Sequence, residues 1–206
     1  MYSGCAAPPG GLAVRQQKYQ DSNPVVRFVI RRFFGRLRSL VQELQPQSLL
    51  DAGCGEGELF RRAIIGPEVT PVCLDLKTDS LLDLRAEVNP VRLVCGSVQA
   101  LPFPAGSFDV AVCLEVLEHL EEPAVAVREL ARVTRRAILL SVPYEPYFRI
   151  GNLLRGKHLR HWGNFPEHVQ HWNRRTLGKL LSSVLSEIRL IEACPWILAC
   201  CRPDYR

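Results

Sequence analysis

Ser48-Leu49-Leu50-Asp51-Ala52-Gly53-Cys54-Gly55-Glu56-Gly57-Glu58 decides the fold. A short apolar run ends in an acid, glycines take every second position from Gly53 to Gly57, and Glu58 to Ile65 reads as a helix. That is a strand, a tight turn and a helix opening. The glycines admit positive φ and let a ligand approach the main chain closely. The helix start offers N–H groups to a polar ligand. A dinucleotide fingerprint needs G-x-G-x-x-G to seat a pyrophosphate, but Glu58 stands where its last glycine would be. An acid beside the turn disfavours phosphate and suits a cationic ligand. The plain alternative is a glycine-rich structural turn.

Downstream, residues 70–74 read as a second strand ending at Asp75. An acid about 20 residues past the turn commonly holds ribose hydroxyls, because a carboxylate accepts two hydrogen bonds from a vicinal diol. Otherwise Asp75 would cap the helix expected from Asp79 to Ala86. Val91 to Cys95 and Phe108 to Leu114 read as strands three and four, the latter nearly all apolar, as suits a strand covered on both faces. Glu122-Pro123 opens a helix to about Thr134, and Arg136 to Val142 is a fifth strand. Arg174 to Leu185 reads as helix, and Ile188 to Ala193 with Trp196 to Cys201 as a closing hairpin. The alternation predicts an α/β Rossmann-like doubly wound sheet of about seven strands, mainly parallel, with helices on both faces. Ligands bind such sheets at the carboxyl ends of the strands, where Asp51, Asp75, Ser97, Glu115 and Pro143 fall.

Upstream, Asn23-Pro24 reads as a helix cap and first turn. Val26, Ile30, Phe33, Leu37, Leu40 and Leu44 then form one apolar stripe of a helix over residues 24–44. Arg27, Arg31, Arg32, Arg36 and Arg38 fill much of the rest. They are either a solvated face or a basic lid over an anionic substrate. Residues 1–20 read as a flexible tail and 21–206 as one domain. Its 47% hydrophobic and 23% charged content is ordinary for a globular protein. No apolar run has the length of a membrane span and the start lacks a signal-peptide layout, so a cytoplasmic location is expected. The net charge of +5 permits an anionic partner without demanding one. The eight cysteines include no C-x-x-C pair, so they read as reduced, with Cys54, Cys73, Cys95 and Cys113 in or beside buried strands.

The glycine turn, with the downstream acid at its spacing, resembles motif I of the class I S-adenosylmethionine (SAM) dependent methyltransferases, of the methyltransferase type 11 kind. The resemblance covers roughly residues 24–201 and implies that the seventh strand is antiparallel. It implies SAM as cofactor, with Asp51, Gly53, Cys54 and Gly55 against its methionine part and Asp75 at its ribose, Leu76 also belonging to the cofactor set. Ser97 and Val98 would take the adenine, Ser97 standing where the family usually has an acid. Leu114 and Glu115 would complete the pocket.

Residues 143–173 interrupt the alternation as an insert carrying His158, His161, His168 and His171 among interleaved aromatics. A loop this long in a compact domain is usually functional, though its histidines could equally be solvated. Methyl transfer from a sulfonium is an in-line displacement in which positioning is most of the task. A hydroxyl acceptor gains from a general base near neutral pKa, and His119 or His168 is the candidate. Glu115, Glu118 and His119 also have an E-x-x-E-H spacing that looks like the metal site of small-RNA 3′-terminal 2′-O-methyltransferases and some polyprenyl-phenol O-methyltransferases, with His168 as a fourth ligand. On one helical face Glu115, Glu118 and His119 would converge, although no metal is assigned. The expected function is transfer of the SAM methyl group to a small-molecule acceptor, at oxygen. The alternatives are a metal-assisted RNA-terminal 2′-O-methyltransferase and a non-catalytic SAM-binding partner protein.

Overall fold

The structure, a computed structural model, describes residues 23–87, 91–145, 147 and 168–204. The expectations for residues 1–20 and for His158 and His161 lie outside these. The chain runs α1 (Pro24–Leu44), β1 (Leu49–Ala52), α2 (Glu58–Arg61), β2 (Val72–Asp75), α3 (Thr78–Glu87), β3 (Arg92–Cys95), β4 (Phe108–Leu114), α4 (Pro123–Val133), β5 (Thr134–Pro143), α5 (Arg174–Ser182), β6 (Leu185–Ala193) and β7 (Trp196–Pro203). A 3₁₀ turn at Leu117–His119 follows β4.

The seven strands pair in the order β3-β2-β1-β4-β5-β7-β6. Pairs from β3 to β5 are parallel, while β7 runs antiparallel to both β5 and β6. Strand order reverses between β1 and β4, and the glycine turn leaves β1 at that point.

Alternate residues of the central strands feed opposite faces. Ala111 and Cys113 of β4 join Ile138, Leu140 and Val142 of β5 in one core, against Val127 and Leu130 of α4 and Leu177 and Leu181 of α5. Val110 and Val112 join Leu139 in the other, against Ile30, Phe33, Leu37 and Val41 of α1. Cys201 falls in the first core and Cys200 packs against the second, as adjacent strand residues must. None of the described cysteines is in a disulfide. Cys95 is exposed, not buried as expected, because β3 is the sheet's edge strand.

Asn23 caps α1 by accepting the Val25 N–H at 2.9 Å. The helix expected at Glu58 to Ile65 is a single turn instead, because Ala63 takes φ +49° and breaks it. The two ends of the insert are fastened. The Tyr144 N–H bonds Pro195 O at 2.8 Å, the Glu145 N–H bonds Trp172 O at 2.9 Å, and Trp172 is buried in the first core. Among the described residues no helix is long and apolar enough to cross a membrane.

Candidate active site

The glycine turn is built around its own amides. Gly53 and Cys54 donate to Leu74 O at 2.7 and 3.1 Å, and Gly57 donates to Cys54 O at 2.9 Å. Gly55 donates to Asp75 Oδ2 at 2.8 Å. Those four N–H groups are thus engaged within the protein, and α2 is one turn long. Gly53 and Gly57 are required sterically: at φ +82° and +76°, a Cβ would lie 2.4 Å from Val116 and 2.2 Å from Leu84. Gly55, at φ +50°, would point its Cβ into open space.

That space belongs to a cavity of about 140 Å³ at the carboxyl ends of β1 and β4. Asp51, Gly53, Cys54 and Gly55 line one side, Leu114, Glu115 and His119 another, and Phe34 of α1 closes it. Sites for molecules of cofactor size run from roughly 300 Å³, so the enclosed cavity has room for only part of such a ligand.

Asp51 is the electrostatic centre. It is 3% exposed, and its Oδ2 has no hydrogen-bond partner among the described residues. Burial, reinforced by the nearby Asp75 carboxylate, pushes its pKa up to about 8. A buried carboxylate ionises readily only when a cation or donor meets it. The cavity wall also carries Glu56, Glu58 and Glu115, so its lining is rich in acids, with Glu58 paired to Arg62. The Cys54 thiol is held protonated, its pKa raised by a hydrogen bond with Cys73, then by burial and by Asp51.

Asp75 is buried and faces the turn rather than solvent. Its Oδ1 accepts the Lys77 N–H at 2.9 Å while Oδ2 holds Gly55. Each oxygen keeps a further lone pair, but Asp75 is not on the cavity wall; Ser80 is. Leu76, next to it, is 57% exposed. Ser97 and Val98 also stand away from the cavity. The Ser97 hydroxyl accepts the Gln99 N–H at 3.1 Å, and Val98 is buried in the first core.

Glu115 takes φ +58°, the left-handed region that a non-glycine residue rarely adopts. Its Oε1 accepts the Ser141 hydroxyl at 3.1 Å and its Oε2 the Trp196 indole N–H at 2.7 Å. The expected single helical face through Glu115, Glu118 and His119 is therefore not formed. The backbone turns at Glu115 before the 3₁₀ turn begins, and the side chain is drawn back to β5 and β7. Glu118, His119 and His168 do come together, with one donor atom from each within 4.8 Å of the others. The two imidazoles meet edge-on with centroids 5.0 Å apart. Glu118 is fully buried, and its carbonyl receives the Val169 and Gln170 N–H groups at 2.9 and 3.0 Å, which seats the end of the insert against β4's exit. His119 lines the cavity; His168 stands behind it.

Phe34, Glu56, Leu59 and Ser80 line the cavity without having been singled out from the sequence, and so does Glu58, the acid that stands in place of the dinucleotide glycine. A signal existed for Phe34. Ile30, Phe34, Leu37 and Val41 form a second stripe at helical spacing beside the first, and all four are buried. The Arg62 guanidinium stacks on the Phe34 ring at 4.2 Å and pairs with Glu58 at 2.6 Å, fixing that wall.

Comparison with known proteins matches residues 50–140 to the family described as "Methyltransferase domain". A probable S-adenosylmethionine-dependent methyltransferase of Mycobacterium tuberculosis is 34% identical over 68% of this chain and 51% of its own length. A ubiquinone biosynthesis O-methyltransferase of Paracidovorax citrulli is 34% identical over 56% of each. The chain thus spans about half the length of these curated relatives. Among solved structures, the methyltransferase domain of a bacterial CtHen1 shares the fold, with a TM-score of 0.67 at 18% identity over 84% of this chain and 99% of that one.

Proposed function

We propose that this chain, which belongs to the class I S-adenosylmethionine-dependent methyltransferase family, moves the methyl group of SAM to an oxygen of a small-molecule acceptor. The observation that carries the reading is the buried Asp51 Oδ2, without a hydrogen-bond partner on the wall of an acidic cavity. A ligand bearing an ammonium next to a sulfonium supplies the missing partner. The residues fit that ligand: Asp51 accepts the ammonium, Gly53, Cys54 and Gly55 leave room against the turn, and Leu114 and Glu115 bound the far side. Asp75 and Leu76 stand ready for the ribose, with Ser97 and Val98 further along the rim for the adenine.

SAM supplies an already activated methyl group, so the chain's task is to orient the acceptor and receive its proton. His119, on the cavity wall, is the general base, taking the acceptor's proton on a ring nitrogen. His168 and Glu118 hold that ring in place. Transfer of labelled methyl from SAM to small-metabolite pools tests the reading. Expected is transfer by the wild type, lost in Asp75→Ala together with SAM affinity. No labelled product from any pool would leave a non-catalytic SAM-binding protein.

A second reading is favoured by the donor cluster Glu118, His119 and His168. One carboxylate and two imidazoles fit Mn²⁺, Co²⁺ or Zn²⁺ better than Mg²⁺. A metal there would lower the pKa of an acceptor hydroxyl, as a metal-assisted RNA-terminal 2′-O-methyltransferase requires. Glu115 is committed to Ser141 and Trp196 and is not part of that set. Activity unchanged by a chelator removes this reading, as does RNA binding without a steep salt dependence.

A further inference from the structure

Of the six large apolar side chains left exposed among the described residues, five fall at one end of the molecule and the sixth, Leu82, is on α3. Val25, Phe28, Leu76, Tyr147 and Val169 are each more than half exposed. The Arg136 guanidinium, at the start of β5, donates to Leu44 O at 2.9 Å, so α1 ends where the parallel strands begin. Its first turns, with Val25 and Phe28, therefore lie at the end where those strands finish and the cavity opens. Leu76 follows β2, Tyr147 follows β5, and the Val169 N–H bonds Glu118 O just past β4. Single exposed apolar residues need no explanation, but five at one end do.

The same helix carries an unbalanced positive face. Arg27, Arg31, Arg32, Arg36 and Arg38 are all exposed, and Glu43 is the only acid between Pro24 and Leu44. Arg27, Arg31, Arg32 and Arg36 form no ion pair with another described residue. At 3.6 residues per turn, Phe28 falls in the middle of the outer face. Arg27, Arg31 and Arg38 flank it on one side, Arg32 and Arg36 on the other. Phe28 lies six residues, about 9 Å, from the cavity-lining Phe34 along the helix axis.

We propose that this end of the molecule docks on an anionic lipid bilayer, with the arginines of α1 against the headgroups and Phe28 and Val25 in the interface. A helix face with an apolar centre and arginine flanks has the chemistry of an interfacial element. Single-stranded RNA would instead favour several aromatics interleaved along a cationic groove, and this face has one aromatic and an aliphatic. The acceptor then reaches the cavity from the lipid side, as an amphipathic molecule held in the membrane. That last step rests on the methyl-transfer reading above; the docking does not.

The test is co-sedimentation of the full chain with vesicles of phosphatidylcholine alone and of phosphatidylcholine with one-third phosphatidylglycerol. Expected is binding to the anionic vesicles only, weakened by salt. Each arginine near such a surface contributes about five-fold in affinity, at ~1 kcal/mol per charge. Replacing Arg27, Arg31 and Arg32 together by Gln should cost roughly 100-fold on that scale. Phe28→Asp should weaken binding with every arginine retained. S-adenosylhomocysteine (SAH) binding, measured on the same variants, reports that the domain is folded and separates failure of docking from failure of the methyltransferase assignment. Equal binding to neutral and anionic vesicles, no binding to either, or variants that bind vesicles like wild type would overturn the proposal. So would a single-stranded RNA that binds through the same arginines while vesicles are ignored.

Discussion

Replacing Asp51 by Asn should move stability and ligand affinity in opposite directions. In the folded chain the Asp51 carboxyl titrates at about 8 instead of 3.8, first because it is buried and second because Asp75 is near. A raised folded-state pKa means that this group's contribution to stability is fully present below the unfolded value and is lost as pH rises through the folded one. Each pH unit between them removes about 1.4 kcal/mol, so the ligand-free protein carries a penalty of up to roughly 4 kcal/mol by pH 7. Asn keeps the shape and cannot ionise, though its amide brings a buried donor worth about 1–3 kcal/mol if unpaired. At pH 8 the penalty reaches roughly 5 kcal/mol, so the net expectation there is a gain of about 2–4 kcal/mol for Asp51→Asn, vanishing or reversing at pH 5. SAH keeps the ammonium of the methionine part, and loss of a charge-assisted bond to it should lower affinity by roughly 10- to 150-fold, at about 1.5–3 kcal/mol. Urea titrations at pH 5 and pH 8, with and without SAH, read both effects. Parallel pH dependence in wild type and variant would refute the buried-charge argument, and undiminished SAH affinity would refute the ammonium contact.

Gly57→Ala should destabilise by about 2 kcal/mol or more, from φ strain and from the contact its Cβ makes with Leu84; thermal unfolding measures it. Asp109 accepts the Gln47 and Ser48 N–H groups at 2.9 and 3.1 Å. Burial opposes its ionisation, but Arg135 and those two N–H groups outweigh it and hold its pKa below the ordinary value. Its contribution is therefore present above about pH 4 and lost as pH falls through the folded value, so Asp109→Ala should cost about 2 kcal/mol at pH 7 and less in acid, read by unfolding across that range. His119→Gln should lower kcat by about 10²–10⁴ while SAH affinity stays within a few-fold. An unchanged kcat would take the base role from His119.

Strands β1 and β4 could be read from the chain because each is a run of apolar residues with both faces covered, and burial writes itself into composition. The glycine turn was legible because two of its positions admit no Cβ. What was not legible lies where tertiary contacts set the backbone against local preference. Ala63 and Glu115 both take positive φ with no glycine or asparagine to announce it. One shortens α2 to a turn. The other swings a glutamate from the expected metal set to Ser141 and Trp196, partners 26 and 81 residues away. Cavity-lining Phe34 was obscured differently, since a helix packed over a wide face has two stripes and the narrower reading catches one. The pairing of His119 with His168 depends on the insert's end returning to β4, which no local pattern encodes.

The two backbone bonds at the neck of the insert, Tyr144 to Pro195 and Glu145 to Trp172, make that segment a cassette. Its ends are clamped to the turn between β6 and β7 and to each other, and lengthening a closed loop adds little entropic cost, ~0.6 kcal/mol per doubling. The sheet and the segment between these two bonds can therefore change independently. Swapping residues 146–167 for a different sequence should redirect what is methylated while leaving SAH affinity where it was.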